Sequence, residues 1–440
     1  MRKPFLVLLL ILASFSYSDG IEDKAKNEAI NIEKVEIEKE NKVNEEIKKS
    51  ETKKSEVKPY TYIENYVKEN PNYTLDVKMK KHFNEELNYH IYIRQAVNLR
   101  KNPNIKDKAL KKLPIGYKIG TTGLVKAKDG SKWYEVIYNK EKYFIPSTAG
   151  IKRAFNWQRA VEKADKINMF ISDALNSNKD IYYVDSYISL NTGTEGKKDK
   201  FGNAANQSIK AYYNNNKDYI NLPDRALFTI VGSDSKYISI KTMSYGDEIY
   251  KIPVAFKSRI KKSNIKSFVN KFIYIDRHSQ TEVVIEKNKK TGIFNVNTVG
   301  YVTTGINKGV GFVTPYGDFL VAYTKPVMAY ASDTETEEIL NSKGEVIGKR
   351  PIVIGDARNA IRFSGGGYIH GIPSTFEPKD NREKRKKITE SKLGSIPLSH
   401  KCVRNDDEII KYIYDWVNGG NKIQKNGFTY PAENVIVIVE

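Results

Sequence analysis

Cysteine is almost absent: the 440 residues hold one, Cys402, so no internal disulfide can form. A solitary thiol is either a small buried apolar residue or a functional nucleophile. Long apolar runs are also missing. After residue 13 no stretch approaches the roughly 20 residues that a membrane-crossing helix needs. Histidines number five, and neither a His-x₃-His nor a cysteine-pair spacing occurs, so neither a metal site nor a cofactor is expected. Gly365-Gly366-Gly367 is not followed by the Lys-Ser/Thr of a phosphate-binding loop.

The start of the chain supplies an address. Arg2 and Lys3 precede a nine-residue apolar run at 5–13, and Ser16 and Ser18 suit cleavage after Ser18. Residues 1–18 are therefore expected to be a signal peptide, with an uncleaved anchor as the alternative. No cysteine follows the apolar run, which excludes a lipid-anchored start. The chain is expected to be exported to the periplasm or cell wall, with no transmembrane span once the signal is cleaved. The formal charge is +20. It serves solubility or draws the chain to an anionic polymer. Export makes nucleic acid an unexpected partner and leaves anionic envelope polymers as candidates.

Texture divides the rest. Residues 21–58 contain 10 Lys and 11 Asp or Glu without Gly or Pro, so 19–58 is expected to be a charged disordered linker. Residues 59–87 give no clear pattern. From 88 to 150 short alternating runs such as Val97-Asn98-Leu99-Arg100, Trp133-Tyr134-Glu135-Val136 and Tyr143-Phe144-Ile145 are separated by turn residues. This stretch resembles the bacterial SH3-like barrels that ride on wall hydrolases. The resemblance implies binding of wall peptide or glycan, with a ligand-free spacer as the alternative. Apolar positions from Trp157 to Leu175 mark an amphipathic helix inside a helical or irregular segment, 151–220. Residues 221–265 return to β texture and suggest a second SH3-like barrel. A last unit, 268–440, shows strand-like runs, a helix from Asp406 to Val417 stopped by Gly419-Gly420, and a closing apolar strand, Val435-Ile436-Val437-Ile438-Val439. The expected fold class is mainly β and multidomain.

Three of the histidines, His82, His90 and His278, have unremarkable neighbours. The other two lie near the thiol, in Gly365-Gly366-Gly367-Tyr368-Ile369-His370-Gly371-Ile372 and in Ser399-His400-Lys401-Cys402-Val403-Arg404. A thiol attacks as thiolate, and near its ordinary pKa of about 8.5 only a few per cent is ionised at neutral pH. An imidazole partner and the charges of Lys401 and Arg404 are expected to lower that value and populate the thiolate.

These residues resemble the L,D-transpeptidase catalytic domain of the YkuD family. Its His-Gly appears as His370-Gly371, its Ser/Thr-His-Gly-Cys segment as Ser399-His400-Lys401-Cys402-Val403-Arg404, and its Thr-Pro-x-Gly-x-Phe segment as Thr314-Pro315-Tyr316-Gly317-Asp318-Phe319. The resemblance implies a β-rich catalytic domain preceded by SH3-like barrels, acting on peptidoglycan stem peptides by cysteine acyl transfer. It implies Cys402 as nucleophile and His370 as general base and acid. His400, Ser399 and Gly371 would support the site, and Arg404 would hold the loop or orient a substrate carboxylate. Products would be 3→3 cross-links or wall-attached proteins. The alternatives are an L,D-carboxypeptidase using the same site and a catalytically weak wall-binding protein. Two departures stand out. Lys401 occupies the family's glycine position, where a positive φ would suit glycine alone. The 32-position gap from His370 to Cys402 is wide, its extra length falling at 377–390, with six Lys or Arg and four Asp or Glu. This is expected to be a solvated loop, with a lid as the alternative. Papain-like wall peptidases place cysteine before histidine, and the sortase Thr-Leu-x-Thr-Cys motif is absent.

Overall fold

The computed structural model describes residues 60–66, 72–83, 88–185, 197–213, 218–306, 312–376 and 378–440. The expected signal peptide and the 19–58 linker lie outside the described residues. The architecture is mainly β. No helix among the described residues is long and apolar enough to cross a membrane.

Residues 89–154 supply five strands of an antiparallel sheet, joined by Tyr60–Asn65 along the edge of Lys118–Ala127. In Lys118–Ala127 every second residue is buried, the period-2 pattern of a strand with one covered face. The segment 59–87, which carries no sequence pattern, thus contributes an edge strand here. It contributes another at Tyr73–Thr74, which pairs with Phe294–Tyr301.

Helix α1, Trp157–Asn176, buries Trp157, Ala160, Val161, Ala164, Ile167, Ile171 and Ala174, the stripe its spacing predicts. That stripe shares a core with Phe272, Val283, Val296 and Ile436, so the helix is a layer of the C-terminal unit rather than a free connector.

Residues 181–262 form one seven-stranded antiparallel sheet, ordered Asp218–Pro223, Ser208–Tyr213, Tyr250–Pro253, Tyr237–Thr242, Leu227–Ser233, Ile181–Val184, Ile260–Lys262. The sequence boundary at 220/221 therefore falls inside a sheet. Two of its strands, and half of a third, lie in the segment expected to be helical or irregular. Their tyrosines and lysines hide the alternation: Ile209, Ala211, Ile220 and Leu222 are fully buried while Lys210 is exposed. These residues join Ile273, Ile361, Val403 and Val437 in a single core.

Two more sheets carry the C-terminal unit. In one, Val435–Val439 is wholly buried between Lys271–Asp276, to which it runs parallel, and Gly317–Leu320, to which it runs antiparallel. In the other, a long hairpin (Tyr323–Leu340 with Val346–Ser364) leads to Gly367–His370, which pairs in parallel with Val403–Arg404. The 377–390 insertion differs from the expected loop: Lys379–Ser391 forms an exposed helix, α2, with no buried residue. Charged side chains with good helix propensity need no apolar face to form a turn or more of solvated helix. The last helix, α3 (Asp407–Asn418), starts where Asp406 accepts hydrogen bonds from the backbone N–H groups of Glu408 and Ile409. It ends at Gly419 with φ 54°. Its face of Ile409, Ile410, Ile413 and Val417 packs beneath the Gly367–His370 strand.

Candidate active site

The parallel ladder Ile369↔Val403 and His370↔Arg404 organises the site. Ile369 and Val403 are wholly buried in the core. Their neighbours in sequence must then point to the opposite face. Cys402 stands one residue before the ladder, in a bend, and the Tyr368 N–H lies against its sulfur, which sets the thiol beside the strand that ends in His370. A regular ladder diagonal, one strand spacing across and two residues along, spans about 8 Å between Cα atoms, within side-chain reach.

His370 is buried, and its Nδ1 lies 2.7 Å from the Gly371 carbonyl oxygen. A carbonyl can only accept, so the proton sits on Nδ1 and Nε2 keeps its lone pair. Burial pushes His370 down to about 4, against the Gly371 bond that favours the charged form. The imidazole is neutral at physiological pH and ready to take a proton. Gly371 is needed for closeness: a Cβ there would stand 2.6 Å from Asp407 Oδ1, the atom that accepts the Ile372 N–H at 2.8 Å.

Cys402 is partly exposed, and its sulfur donates to the Gly366 carbonyl at 3.5 Å. Burial pushes the thiol up, opposed by the Tyr368 N–H, Arg404 and Lys401. This corrects the expectation of a lowered pKa: desolvation outweighs the nearby charges, and the resting pair is thiol and neutral imidazole. Activation must therefore come from proton transfer during attack.

The loop before Cys402 is pinned from several sides. Ser399 is buried and its hydroxyl donates to the Cys402 carbonyl. Thr314, of the Thr-Pro-x-Gly-x-Phe segment, donates to the Lys401 carbonyl at 2.8 Å and accepts from the Gly305 N–H at 2.8 Å. Lys401 does adopt φ 75°, the left-handed region that a β-carbon disfavours by roughly 1 kcal/mol. Its side chain is buried and its Nζ lies 2.5 Å from Gln207 Oε1. His400 is exposed. Arg404 makes no ion pair among the described residues, and its backbone is fixed on both sides by Thr303.

Several residues here carry no sequence signal. Gln207 and Asp224 arrive from the seven-stranded sheet. Asp224 is fully buried, pairs with Arg362 at 2.5 Å, and is pushed up to about 6 by burial despite Arg362, Arg225 and Lys401. Asn405 donates from its backbone to the His370 carbonyl at 2.8 Å and from Nδ2 to Glu282 at 2.6 Å. Glu282 is fully buried and pushed up to about 8 by burial. No local motif marks these groups, because only the folded chain brings them to the loop.

Glu282 carries a pH prediction. Its folded-state value lies above the ordinary carboxyl value, so the folded state holds a proton the unfolded chain releases above pH about 4.5. The stabilisation is full below that and is lost as pH rises through about 8. Glu282→Gln keeps the acceptor for Asn405 without the ionisation. Its melting temperature should gain on the wild type between pH 5 and pH 8. A constant difference across that range would contradict the assignment of a protonated acid.

Residues 270–431 match the family model YkuD, the L,D-transpeptidase catalytic domain. A search of curated proteins finds no match. Among solved structures, an L,D-transpeptidase from Mycobacterium smegmatis is 15% identical, covering 48% of this chain and 82% of that one, with a TM-score of 0.25. L,D-transpeptidase 3 from Mycobacterium tuberculosis, in complex with a faropenem-derived adduct, is 14% identical over 44% and 74% of the two chains, with a TM-score of 0.24. An Enterococcus faecium L,D-transpeptidase C442S mutant is 13% identical over 68% and 92%, with a TM-score of 0.21. At such scores these likenesses carry no weight of their own.

Proposed function

We propose that this chain, whose residues 270–431 match an L,D-transpeptidase catalytic domain, is an exported cysteine acyltransferase of peptidoglycan. One observation supports the reading: the parallel pairing of Gly367–His370 with Val403–Arg404 brings the segment bearing the sole thiol against the strand that ends in a neutral imidazole protonated on Nδ1.

In this reading Cys402 attacks the carbonyl of the third residue of a stem tetrapeptide while His370 Nε2 takes the thiol proton. The oxyanion forms against backbone N–H groups of the 399–402 loop. Collapse breaks the peptide bond, and His370 returns the proton to the departing D-alanine amine, leaving a thioester on Cys402. An amine then attacks the thioester, giving a 3→3 cross-link when it belongs to a neighbouring stem, or a wall-attached protein when it is a protein side chain. Water as acceptor makes the same site an L,D-carboxypeptidase. Arg404 is suited to a substrate carboxylate, since its charge is not already paired within the described residues. The 88–150 unit would then hold wall peptide or glycan, and the basic charge would favour an anionic envelope.

The test is mass spectrometry of purified muropeptides incubated with the full chain. Wild type should convert tetrapeptide stems into D-alanine plus cross-linked or shortened products. Cys402→Ala should lose that conversion by at least about a thousandfold. Identical products from the two proteins would end the proposal. The strained Lys401 supports the wall-binding alternative, and a carbapenem-type acylating probe separates the readings by the presence or absence of a mass adduct on Cys402.

A further inference from the structure

The 181–262 sheet reaches into the catalytic loop through Gln207, and the contact lands on the residue where the resemblance expects glycine. Lys401 holds its backbone in the left-handed region and its long side chain is buried. Its Nζ meets Gln207 Oε1 at 2.5 Å. Gln207 is held in turn: its carbonyl accepts the Asp224 N–H at 3.1 Å, and its amide packs on Gly366, where a Cβ would stand 3.0 Å from it. Gly366 supplies the carbonyl that the Cys402 thiol touches. Gly366 and Gln207 thus link the sulfur to the Lys401 ammonium. A buried ammonium placed one residue from a thiol favours the ionised sulfur and costs backbone strain that glycine would avoid.

We propose that Lys401, fixed by Gln207, is a positioning and electrostatic partner of Cys402 that raises the population of its thiolate. The inference rests on the reading of Cys402 as nucleophile and extends it to the position where this chain departs from the motif. The groups facing the sulfur are Arg404 and Lys401 from its own segment and, from the neighbouring strand, the Tyr368 N–H and phenol. His370 lies on the same face of that strand. Lys401 itself faces Asp224 from the sheet and Arg362 from the long hairpin. Below the point where Lys401 loses its proton, near pH 8, the ammonium acts on the sulfur. Above it the support fades.

The single cysteine makes the test clean, because every alkylation event reports on Cys402. Iodoacetamide labelling of the folded full chain is followed by mass spectrometry from pH 5 to pH 10. Lys401→Gly should lower the labelling rate at pH 7 about fivefold, and the two profiles should converge above about pH 8, where the lysine is itself neutral. Its melting temperature should not fall, since glycine relieves the positive φ; that separates lost electrostatics from damaged folding. Gln207→Leu should shift the profile the same way while keeping Lys401, and Lys401→Arg should keep the wild-type profile. Wild-type profiles in both Lys401→Gly and Gln207→Leu would overturn the proposal and leave the nucleophile reading standing. A wild-type thiol that labels only after unfolding would overturn both.

Discussion

Replacing His370 with Asn should slow acylation of Cys402 by a carbapenem-type probe by about 10²- to 10⁴-fold near pH 7. The size follows from the resting protonation states. With the thiol held above its ordinary value and the imidazole held down near 4, almost none of the pair exists as thiolate and imidazolium. A site that stored its thiolate would need the histidine little in this step. This one must move the proton as the sulfur attacks, and Asn at 370 offers no nitrogen lone pair basic enough to receive it. The measurement is the rate at which adduct mass appears on the single cysteine. A rate within threefold of wild type would show that the sulfur is activated by something else. The two pKa directions also fix the pH course. Histidine remains neutral above pH about 4, so the acid limb of the wild-type profile should fall near that value rather than near 6.5.

The second large effect concerns stability. Arg362→Leu should destabilise the fold by about 3 kcal/mol at pH 8, because it strands the wholly buried Asp224 carboxylate. The loss should shrink toward pH 5. Asp224 already sits near 6 in the folded state with Arg362 present. Without the guanidinium its value climbs, and at pH 5 the acid is protonated and no longer a bare charge. Raised carboxyl values stabilise the fold below the ordinary value and lose that contribution as pH rises through the folded one, so the variant should suffer most in alkali. Urea melts at the two pH values test this, and equal losses at both would contradict it.

The parts of the site that obey local rules are legible in the order of the amino acids. His370 and Cys402 stand out because a solitary thiol read as a nucleophile calls for a base, and His370 and His400 are the histidines near it in sequence. The helix Asp407–Asn418 announces itself through an acidic cap, an apolar stripe and a glycine stop. What escapes depends on distant pairing. Gln207, Asp224 and Glu282 look like ordinary surface polar residues until strands from 181–262 and 271–287 fold against the loop. The 181–220 strands are obscured because tyrosine and lysine suit both an exposed strand face and a loop. The thiol's pKa escapes for a related reason: nearby cations are visible in sequence, whereas desolvation is a property of the packed site.

The core that joins Ile209, Ile220 and Ile240 to Ile273, Val403 and Val437 has a bearing on descent as well as on folding. A gene fragment starting at codon 268 would encode every motif residue yet leave a greasy flank bare, and its product should aggregate. Recombination that swaps the catalytic cassette alone would be punished in the same way. Lineages carrying lysine at 401 should accordingly have kept its glutamine anchor and both halves of this shared interior together.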